Sequence, residues 1–240
     1  FGTDGWRAVI ADTFTFENLK ALSQALAVWV RNDAKKIPGQ PVRVAVGYDN
    51  RFLSKEFAET VSCVLAANDV DVLLSDASLP TPALSLATRE EKCVAGVVIT
   101  ASHNPPEYNG FKIKTAEGGG AGKNITDVVE KYIGAEEVRS VELKKAVAEG
   151  QVKVVDLKKD YLKFIKSYVN LKKIKPAKFR VIQDVMHGSG GTLLAEALKG
   201  TKVNVELLHS DVNPGFEGTR PEPLPQYLPL LREKMKKGKY

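Results

Sequence analysis

A serine on a short polar loop is the feature of this sequence that most directly suggests chemistry. Residues 99–112 read Ile-Thr-Ala-Ser-His-Asn-Pro-Pro-Glu-Tyr-Asn-Gly-Phe-Lys, and the apolar run before them predicts a strand that leads into the loop. The loop presents Ser102 beside His103 and Asn104, two prolines fix its backbone, and Lys112 returns a cation to the same region. A hydroxyl on a rigid loop, surrounded by donors and a lysine, suits a group that carries or binds a phosphoryl group.

Acyl transfer is not favoured by this loop. The Gly-x-Ser-x-Gly spacing of hydrolases is absent around Ser102, and no aspartate partner for His103 is evident. A plain turn is the alternative for Ser102, because Ser and Asn satisfy local backbone groups in turns. Lys112 could equally be a surface lysine at a strand edge, although the missing side chain at Gly110 would let it fold back from an Asn-Gly turn toward Ser102.

A second group of candidate residues precedes the serine loop in the chain. Arg7 ends the glycine-rich stretch Phe-Gly-Thr-Asp-Gly-Trp-Arg at residues 1–7, where it is either part of a simple turn or a phosphate clamp. The clamp is plausible chemistry because the planar arginine fork matches phosphate oxygens. Asp49 and Arg51 follow a predicted buried strand, and we expect them to pair and to support the loop around Ser102.

A glycine-rich strand-to-helix turn at 184–191 also invites a phosphate-binding interpretation, because helix N-termini bind anions. It lacks the Lys-Ser/Thr ending of a nucleotide P-loop, so ATP binding is not expected. We interpret this turn as structural.

The elements that must position these residues alternate between strands and helices. Apolar residues at helical spacing or in short continuous runs indicate the two types of element. Helices are predicted over 14–31, 55–67 with Ser54 as the cap, a short segment opening at residues 79–82, 127–132, 160–169 and 190–198. Strands are predicted over 42–47, 70–74, 94–100, 179–182 and 203–207. This order favours layered α/β domains.

The pattern divides the chain into one complete unit and the start of another. Residues 1–148 form the predicted first domain, 149–175 a connecting helix and linker, and 176–240 a partial second domain. Because the sequence does not begin with Met and stops where another strand is expected, we expect it to be a piece of a longer protein.

Composition excludes several classes of protein. The 240 residues are 43% hydrophobic and 27% charged, as in soluble globular proteins, and no apolar run approaches the roughly 18 residues of a membrane span. Cys63 and Cys93 have no metal-like spacing and are expected to be reduced and buried, which favours a cytoplasmic location. The net charge of +6 comes from lysines interleaved with acidic residues. It therefore indicates a solvated surface or an anionic small substrate rather than a nucleic-acid partner.

Residues 99–112 resemble, almost letter for letter, the phosphoserine loop of the α-D-phosphohexomutases, the phosphoglucomutase and phosphomannomutase family. Residues 1–7, 47–51 (Gly-Tyr-Asp-Asn-Arg), 79–83 (Leu-Pro-Thr-Pro-Ala) and 211–223 also resemble family motifs, with Ala8 in place of a family glycine. The resemblance implies three-layer α/β/α domains with mixed sheets, one complete and a second partial.

The resemblance also implies roles for individual residues. Ser102 would carry the phosphoryl group, Lys112 would assist proton transfer at the sugar hydroxyl, and Arg7 would face the phosphoserine. Supporting residues of the loop would be Thr100, His103, Asn104, Asn109, Asp49 and Arg51. One phosphoserine oxygen would ligate Mg²⁺, but the three aspartates of the family's Asp-Gly-Asp-x-Asp-Arg metal loop do not occur in this sequence.

The implied activity is interconversion of hexose 1-phosphate and hexose 6-phosphate, of glucose or mannose, through a phosphoserine and a hexose 1,6-bisphosphate that also serves as activator. We expect residues 1–240 alone to be inactive. The expected partner is a small phosphosugar, without nucleic acid or membrane. A non-catalytic phosphosugar-binding regulator stays open as the alternative, and the sequence leaves sugar preference and oligomeric state undecided.

Overall fold

A computed structural model of the chain describes residues 2, 5–36, 38–238 and 240. The described residues form eight strands and nine α-helices. The strands are β1 (Trp6–Val9), β2 (Arg43–Tyr48), β3 (Asp71–Ser75), β4 (Ala95–Ile99), β5 (Tyr108–Thr115), β6 (Val152–Val155), β7 (Arg180–Asp184) and β8 (Asn204–Leu208). The helices are α1 (Phe16–Asn32), α2 (Ser54–Ala66), α3 (Thr81–Glu90), α4 (Lys123–Lys131), α5 (Leu143–Ala148), α6 (Leu157–Tyr168), α7 (Leu171–Ile174), α8 (Leu193–Leu198) and α9 (Pro229–Lys237).

The first unit is a six-stranded mixed sheet between two layers of helices. The strand order is β1-β5-β4-β2-β3-β6, with β5 antiparallel to its neighbours β4 and β1 and the β4-β2-β3-β6 pairs parallel. Helices α1, α2, α4 and α5 contribute to the core on one face, and α3 and the start of α6 to the core on the other. This is the three-layer arrangement that the family resemblance implies.

The central strands are buried on both faces, which is why they read as continuous apolar runs. In β2, Val44 and Val46 face the α1–α2 core while Ala45 faces α3, and Val98 of β4 joins the same α3 core. The parallel pairing sets Tyr48 opposite Ile99 at the carboxyl ends of the two strands. The loops that follow β2 and β4 therefore lie side by side, at the edge where open α/β sheets bind ligands.

The second unit is smaller in the part of the chain that the structure describes. Its strands β7 and β8 pair in parallel, connected through α8, and α9 lies against β7. Helix α6 joins the units, since it contacts both α3 and α8.

Several elements differ from the sequence predictions. The antiparallel strands β1 and β5 were not predicted, and the expected Asn-Gly turn at Gly110 lies inside β5. Ser54 does not cap α2 but is its first residue, because Leu53 occupies the cap position in a left-handed conformation. Strand β6 lies in the segment 149–175 that we assigned to the connecting helix and linker, so the first sheet extends to residue 155.

Two further sequence predictions concern cysteines and membranes. Both cysteines are free thiols, and Cys93 is buried as predicted, whereas Cys63 is only partly buried. Within the described residues, no helix combines the length and the apolar character that crossing a membrane requires.

Candidate functional site

Ser102 lies on the loop between β4 and β5, exposed to solvent in a backbone conformation that serine seldom adopts. Its φ is +58°, in the left-handed region, which costs a non-glycine residue about 1 kcal/mol. Its backbone N–H donates to Thr100 Oγ1 at 3.0 Å, and its hydroxyl lies 3.4 Å from His103 Nδ1. The surrounding structure must hold this conformation, and the hydroxyl is left accessible for chemistry.

Arg51 holds the serine loop by its backbone. Its two η nitrogens donate to four carbonyl oxygens, those of Ser102 (2.8 Å), Asn104 (2.6 Å), Pro105 (2.8 Å) and Tyr108 (3.0 Å). The side chain is buried, and burial lowers the pKa of Arg51 while the charge of Asp49 opposes that shift. Because each N–H of the η nitrogens already has a carbonyl partner, Arg51 shapes the loop and is not available to clamp a phosphate.

Asp49 connects the loop to α2 and β5 through a hydrogen-bond network. Thr100 Oγ1 donates to Asp49 Oδ2 at 2.5 Å, while Ser54 Oγ and the Arg51 backbone N–H donate to Oδ1 at 2.9 and 3.0 Å. Asn109 Nδ2 donates to Ser54 Oγ at 2.9 Å. Burial raises the pKa of Asp49, and the hydrogen bond from Thr100 is the strongest influence that lowers it. The network supports the backbone beside the serine.

Arg7 reaches the loop from β1. It lies opposite Gly110 of β5, and its Nη1 donates to Asn104 Oδ1 at 3.4 Å. A Cβ on Gly110 would lie 2.5 Å from the Thr100 carbonyl oxygen and 3.0 Å from Arg7 Cγ. The glycine therefore makes room for the Arg7 side chain and for the chain after β4, and it does not form the turn that we predicted for Lys112.

Lys112 is a buried cation in β5, so the alternative of a surface lysine is wrong. Its side chain is 6% exposed, and the residue pairs with Val98. It lies two positions beyond Gly110, on the sheet face that Arg7 shares. A Cβ on Gly5 would lie 2.9 Å from Lys112 Cγ, so the lysine stem packs against the Gly5 backbone.

A cleft of about 480 Å³ lies beside Ser102, between the two units. Thr100, Ser102 and His103 line its first-unit side, and the second unit contributes 184–186, 188, 189 and Phe216. This volume is in the range of small-molecule sites. The glycine-rich turn that we interpreted as structural therefore forms a wall of the candidate site.

Two functional contacts between the units were missed by sequence reasoning. Asn50 Nδ2 donates to the His187 carbonyl at 2.8 Å, and the Arg51 guanidinium carbon lies 5.3 Å from the centre of the Phe216 ring. Asn50 lies in the recognised 47–51 motif and Phe216 in the 211–223 motif. The family motifs identified both segments, but nothing in the sequence indicated that the two segments contact each other.

The described residues do not by themselves fit Mg²⁺. Among them no group of three or more His, Cys, Asp or Glu side chains could hold a metal ion. Asp49 is the carboxylate in the network under the serine loop, and both of its oxygens accept hydrogen bonds from the protein. Mg²⁺ requires near-octahedral oxygen ligation, which the described side chains around Ser102 do not supply.

Family models match nearly the whole chain. The phosphoglucomutase/phosphomannomutase α/β/α domain I matches residues 1–140, and domain II of the same family matches residues 159–240. The chain belongs to the phosphoglucomutase/phosphomannomutase family. The family resemblance and the three-layer α/β/α fold that it implies are thereby confirmed, and the mutase domains I and II correspond to the two units of the structure.

Individual members of the mutase family are similar to this chain over nearly all of its length. A Clostridium acetobutylicum protein named phosphoglucosamine mutase is 32% identical over 239 residues, covering 95% of this chain and 50% of that protein. A Thermococcus kodakarensis phosphoglucomutase/phosphomannomutase is 29% identical over 224 residues, covering 93% and 47%. The crystal structure of a Thermus thermophilus protein assigned as a phosphomannomutase matches with a TM-score of 0.85 and 32% identity, over 96% of this chain and 50% of that chain. The chain thus spans about half the length of the curated relatives it matches.

Proposed function

We propose that the protein is a phosphohexomutase that interconverts hexose 1-phosphate and hexose 6-phosphate, of glucose or mannose, through a phosphoserine at Ser102. The observation that carries the proposal is the exposed, left-handed Ser102, held by the Arg51 clamp at the mouth of the cleft between the units. A serine that only ends a strand would not need four carbonyls of its loop bound to one buried guanidinium. Membership of the mutase family supports the same interpretation.

In the first transfer, the bond between the phosphoserine Oγ and phosphorus breaks while a bond forms between phosphorus and a sugar hydroxyl oxygen. The sugar hydroxyl gives its proton to the amine nitrogen of Lys112, which we assign as the acceptor, and the Ser102 oxygen leaves as an alkoxide that takes a proton from water at the exposed loop. The resulting hexose 1,6-bisphosphate returns its other phosphoryl group to Ser102 by the reverse step. Arg7 lies on the Lys112 face of the sheet and reaches the loop at Asn104, so it is the cation assigned to the transferring phosphate. Mg²⁺, when bound, would screen negative charge on that phosphate.

The names of the relatives do not decide which hexose phosphate is the substrate. The Clostridium acetobutylicum relative is named for glucosamine phosphate and the Thermococcus kodakarensis relative for glucose and mannose phosphates. Preference for glucose or mannose, a cytoplasmic location and the absence of nucleic-acid or membrane partners stay predictions.

The test is to incubate the full-length protein with glucose 1,6-bisphosphate and Mg²⁺ and to map added mass by peptide mass spectrometry. One phosphoryl group on Ser102, absent from the Ser102→Ala variant, is expected together with mutase turnover that the substitution abolishes. An unmodified Ser102 in folded, Mg²⁺-supplemented protein would contradict the proposal and favour a non-catalytic phosphosugar binder. Turnover retained by Ser102→Ala would refute the phosphoserine role.

A further inference from the structure

The second unit touches the serine-loop clamp at one aromatic side chain. The Phe216 ring covers the guanidinium of Arg51, with the arginine carbon 5.3 Å from the ring centre. That distance is within the range of an attractive cation–π contact, which is strongest where water is excluded. Both side chains are buried, Arg51 at 3% and Phe216 at 5% exposure.

The Phe216 contact supplies what the other partners of Arg51 do not. The four carbonyls and Asp49, whose Oδ2 lies 3.4 Å from Arg51 Nε, engage nitrogens at the edge of the guanidinium. Hydrogen bonds at the edge of the guanidinium resist its rotation within the guanidinium plane. A ring stacked on the guanidinium face resists tilting of that plane and keeps water away from the face. Phe216 lines the same cleft as Ser102, so removing the ring would open the clamp to solvent from that side.

The turn that carries Phe216 is itself held in a constrained conformation. Phe216 and Glu217 have φ of +47° and +53°, in the left-handed region that non-glycine residues seldom adopt. Thr219 Oγ1 donates to the Phe216 carbonyl at 2.9 Å, and a Glu217 carboxylate oxygen lies 3.7 Å from His187 Nε2. His187 in turn accepts the Asn50 hydrogen bond at its carbonyl. Two consecutive residues of one loop, Asn50 and Arg51, therefore meet this edge of the second unit.

We propose that Phe216 is a positioning residue, whose ring holds the Arg51 guanidinium in the orientation that clamps the serine loop. The geometry of Ser102 then depends on docking of the second unit against the first. The predicted effect on phosphoryl transfer rests on the proposed function, whereas the effect on the loop does not.

The loop effect is tested by hydrogen exchange and mass spectrometry on the 240-residue chain. The reporter amides are those of Ser102, Asn104 and Tyr108, which donate to Thr100 Oγ1, the Ala101 carbonyl and the Pro105 carbonyl. Phe216→Met keeps a long apolar side chain but removes the aromatic face, and we expect exchange of these amides to rise about tenfold. Phe216→Tyr, which keeps the face, should exchange like the wild type. The matched control is Phe179→Leu, because Phe179 is a second-unit phenylalanine that is 65% exposed.

Unchanged loop exchange in Phe216→Met, with the β7 and β8 amides still protected, would overturn the proposal. The same holds if Phe216→Tyr loosens the loop as much as Phe216→Met. If Phe216→Met also loses protection of the β7 and β8 amides, the second unit itself is disturbed. Phe216→Leu then replaces it, and its loop exchange is compared with the wild type provided that β7 and β8 stay protected.

A second readout separates this proposal from the proposed function. In the full-length protein, Phe216→Met should lower kcat about tenfold with little change in KM, and Phe216→Tyr should restore it, because misorientation of a reacting group slows the chemical step. If the wild type takes up no phosphate but the exchange pattern appears, the proposed function fails and the positioning role stands. If phosphoryl transfer occurs and Phe216→Met changes neither loop exchange nor kcat, the positioning role fails alone.

Discussion

At the scale of single residues, the serine loop depends on arginine chemistry that lysine does not reproduce. Arg51 presents its N–H groups in a planar fork and bonds four carbonyls at once, whereas a lysine ammonium has three donors at a single nitrogen. At least one of these carbonyls would lose its partner on substitution. A lysine at position 51 would therefore keep the positive charge but not the hydrogen bonds that hold the loop.

Arg51→Lys should lower the free energy of unfolding by about 1–3 kcal/mol, since a hydrogen bond to a charged group contributes about that much. In the full-length protein it should also slow phosphorylation of Ser102 by at least about tenfold. Urea denaturation and a time course of peptide mass measure the two effects. Arg89→Lys is the control, because Arg89 is exposed and its side chain bonds Glu90. Equal stability of the two variants would contradict the role of the fork.

The two cysteines should differ in reactivity because of their burial. Burial raises the pKa of Cys93 to about 12, so at pH 8 only about one molecule in 10⁴ carries the reactive thiolate. Burial also raises the pKa of Cys63, but that side chain is partly exposed. In native protein at pH 8, we expect iodoacetamide to alkylate Cys93 at least about tenfold more slowly than Cys63, as followed by peptide mass.

Because the folded-state pKa of Cys93 is raised, its neutral thiol contributes stability that is lost as the pH rises toward about 12. Denaturation in urea should make the two cysteines react at similar rates. Rapid native labelling of Cys93 would show that the strand edge beside α3 opens more readily than the structure implies.

At the scale of elements, the pairing of β5 between β4 and β1 decides how the cationic residues meet the loop. Arg7 and Lys112 share one face of the sheet only because β1 and β5 are antiparallel neighbours in this register. Gly110 permits that pairing, since a Cβ there would lie 2.5 Å from the Thr100 carbonyl oxygen.

Gly110→Ala should destabilise the chain by about 1–3 kcal/mol, the usual cost of forcing a methyl group into a filled space. Gly119→Ala is the matched control, because its Cβ would lie 3.6 Å from Thr115 Oγ1, an ordinary contact. Urea denaturation of both variants measures the difference. A Gly110→Ala variant as stable as Gly119→Ala would show that β5 can shift without cost.

Ser54, at the start of α2, has a role that depends on residues outside the helix. Ser54 suggested a helix cap, but its hydroxyl donates to Asp49 and accepts from Asn109. The residue therefore joins β2, α2 and β5 beneath the serine loop. Such a role depends on neighbours that local sequence does not reveal.

At the scale of the whole molecule, the candidate site is formed where the two units meet. The first unit supplies Ser102 and the Arg51 side chain that holds its loop. The second unit supplies Phe216 and residues 184–186, 188 and 189, which line the cleft. The described residues supply no carboxylate cluster for Mg²⁺.

The 240-residue chain alone should interconvert glucose 1-phosphate and glucose 6-phosphate at least about 100-fold more slowly than the full-length protein, the loss expected when charge-stabilising groups are missing. A coupled dehydrogenase assay at equal molar concentration measures this, with Ser102→Ala full-length protein as the background. Turnover by the chain comparable with the full-length protein would contradict the expectation.

The sequence by itself determined the serine loop, the pairing of Asp49 with Arg51 beside it and the central strands β2, β3 and β4 of the first sheet. These features are readable because each is encoded locally, by turn residues or by continuous apolar runs of strands buried on both faces. Only the tertiary structure decided the antiparallel partners β1 and β5, the burial of Lys112, the reason for Gly110 and the contact of Phe216 with Arg51. Each of these depends on residues distant in the chain, and a short local pattern carries no information about which distant segment will pack against it.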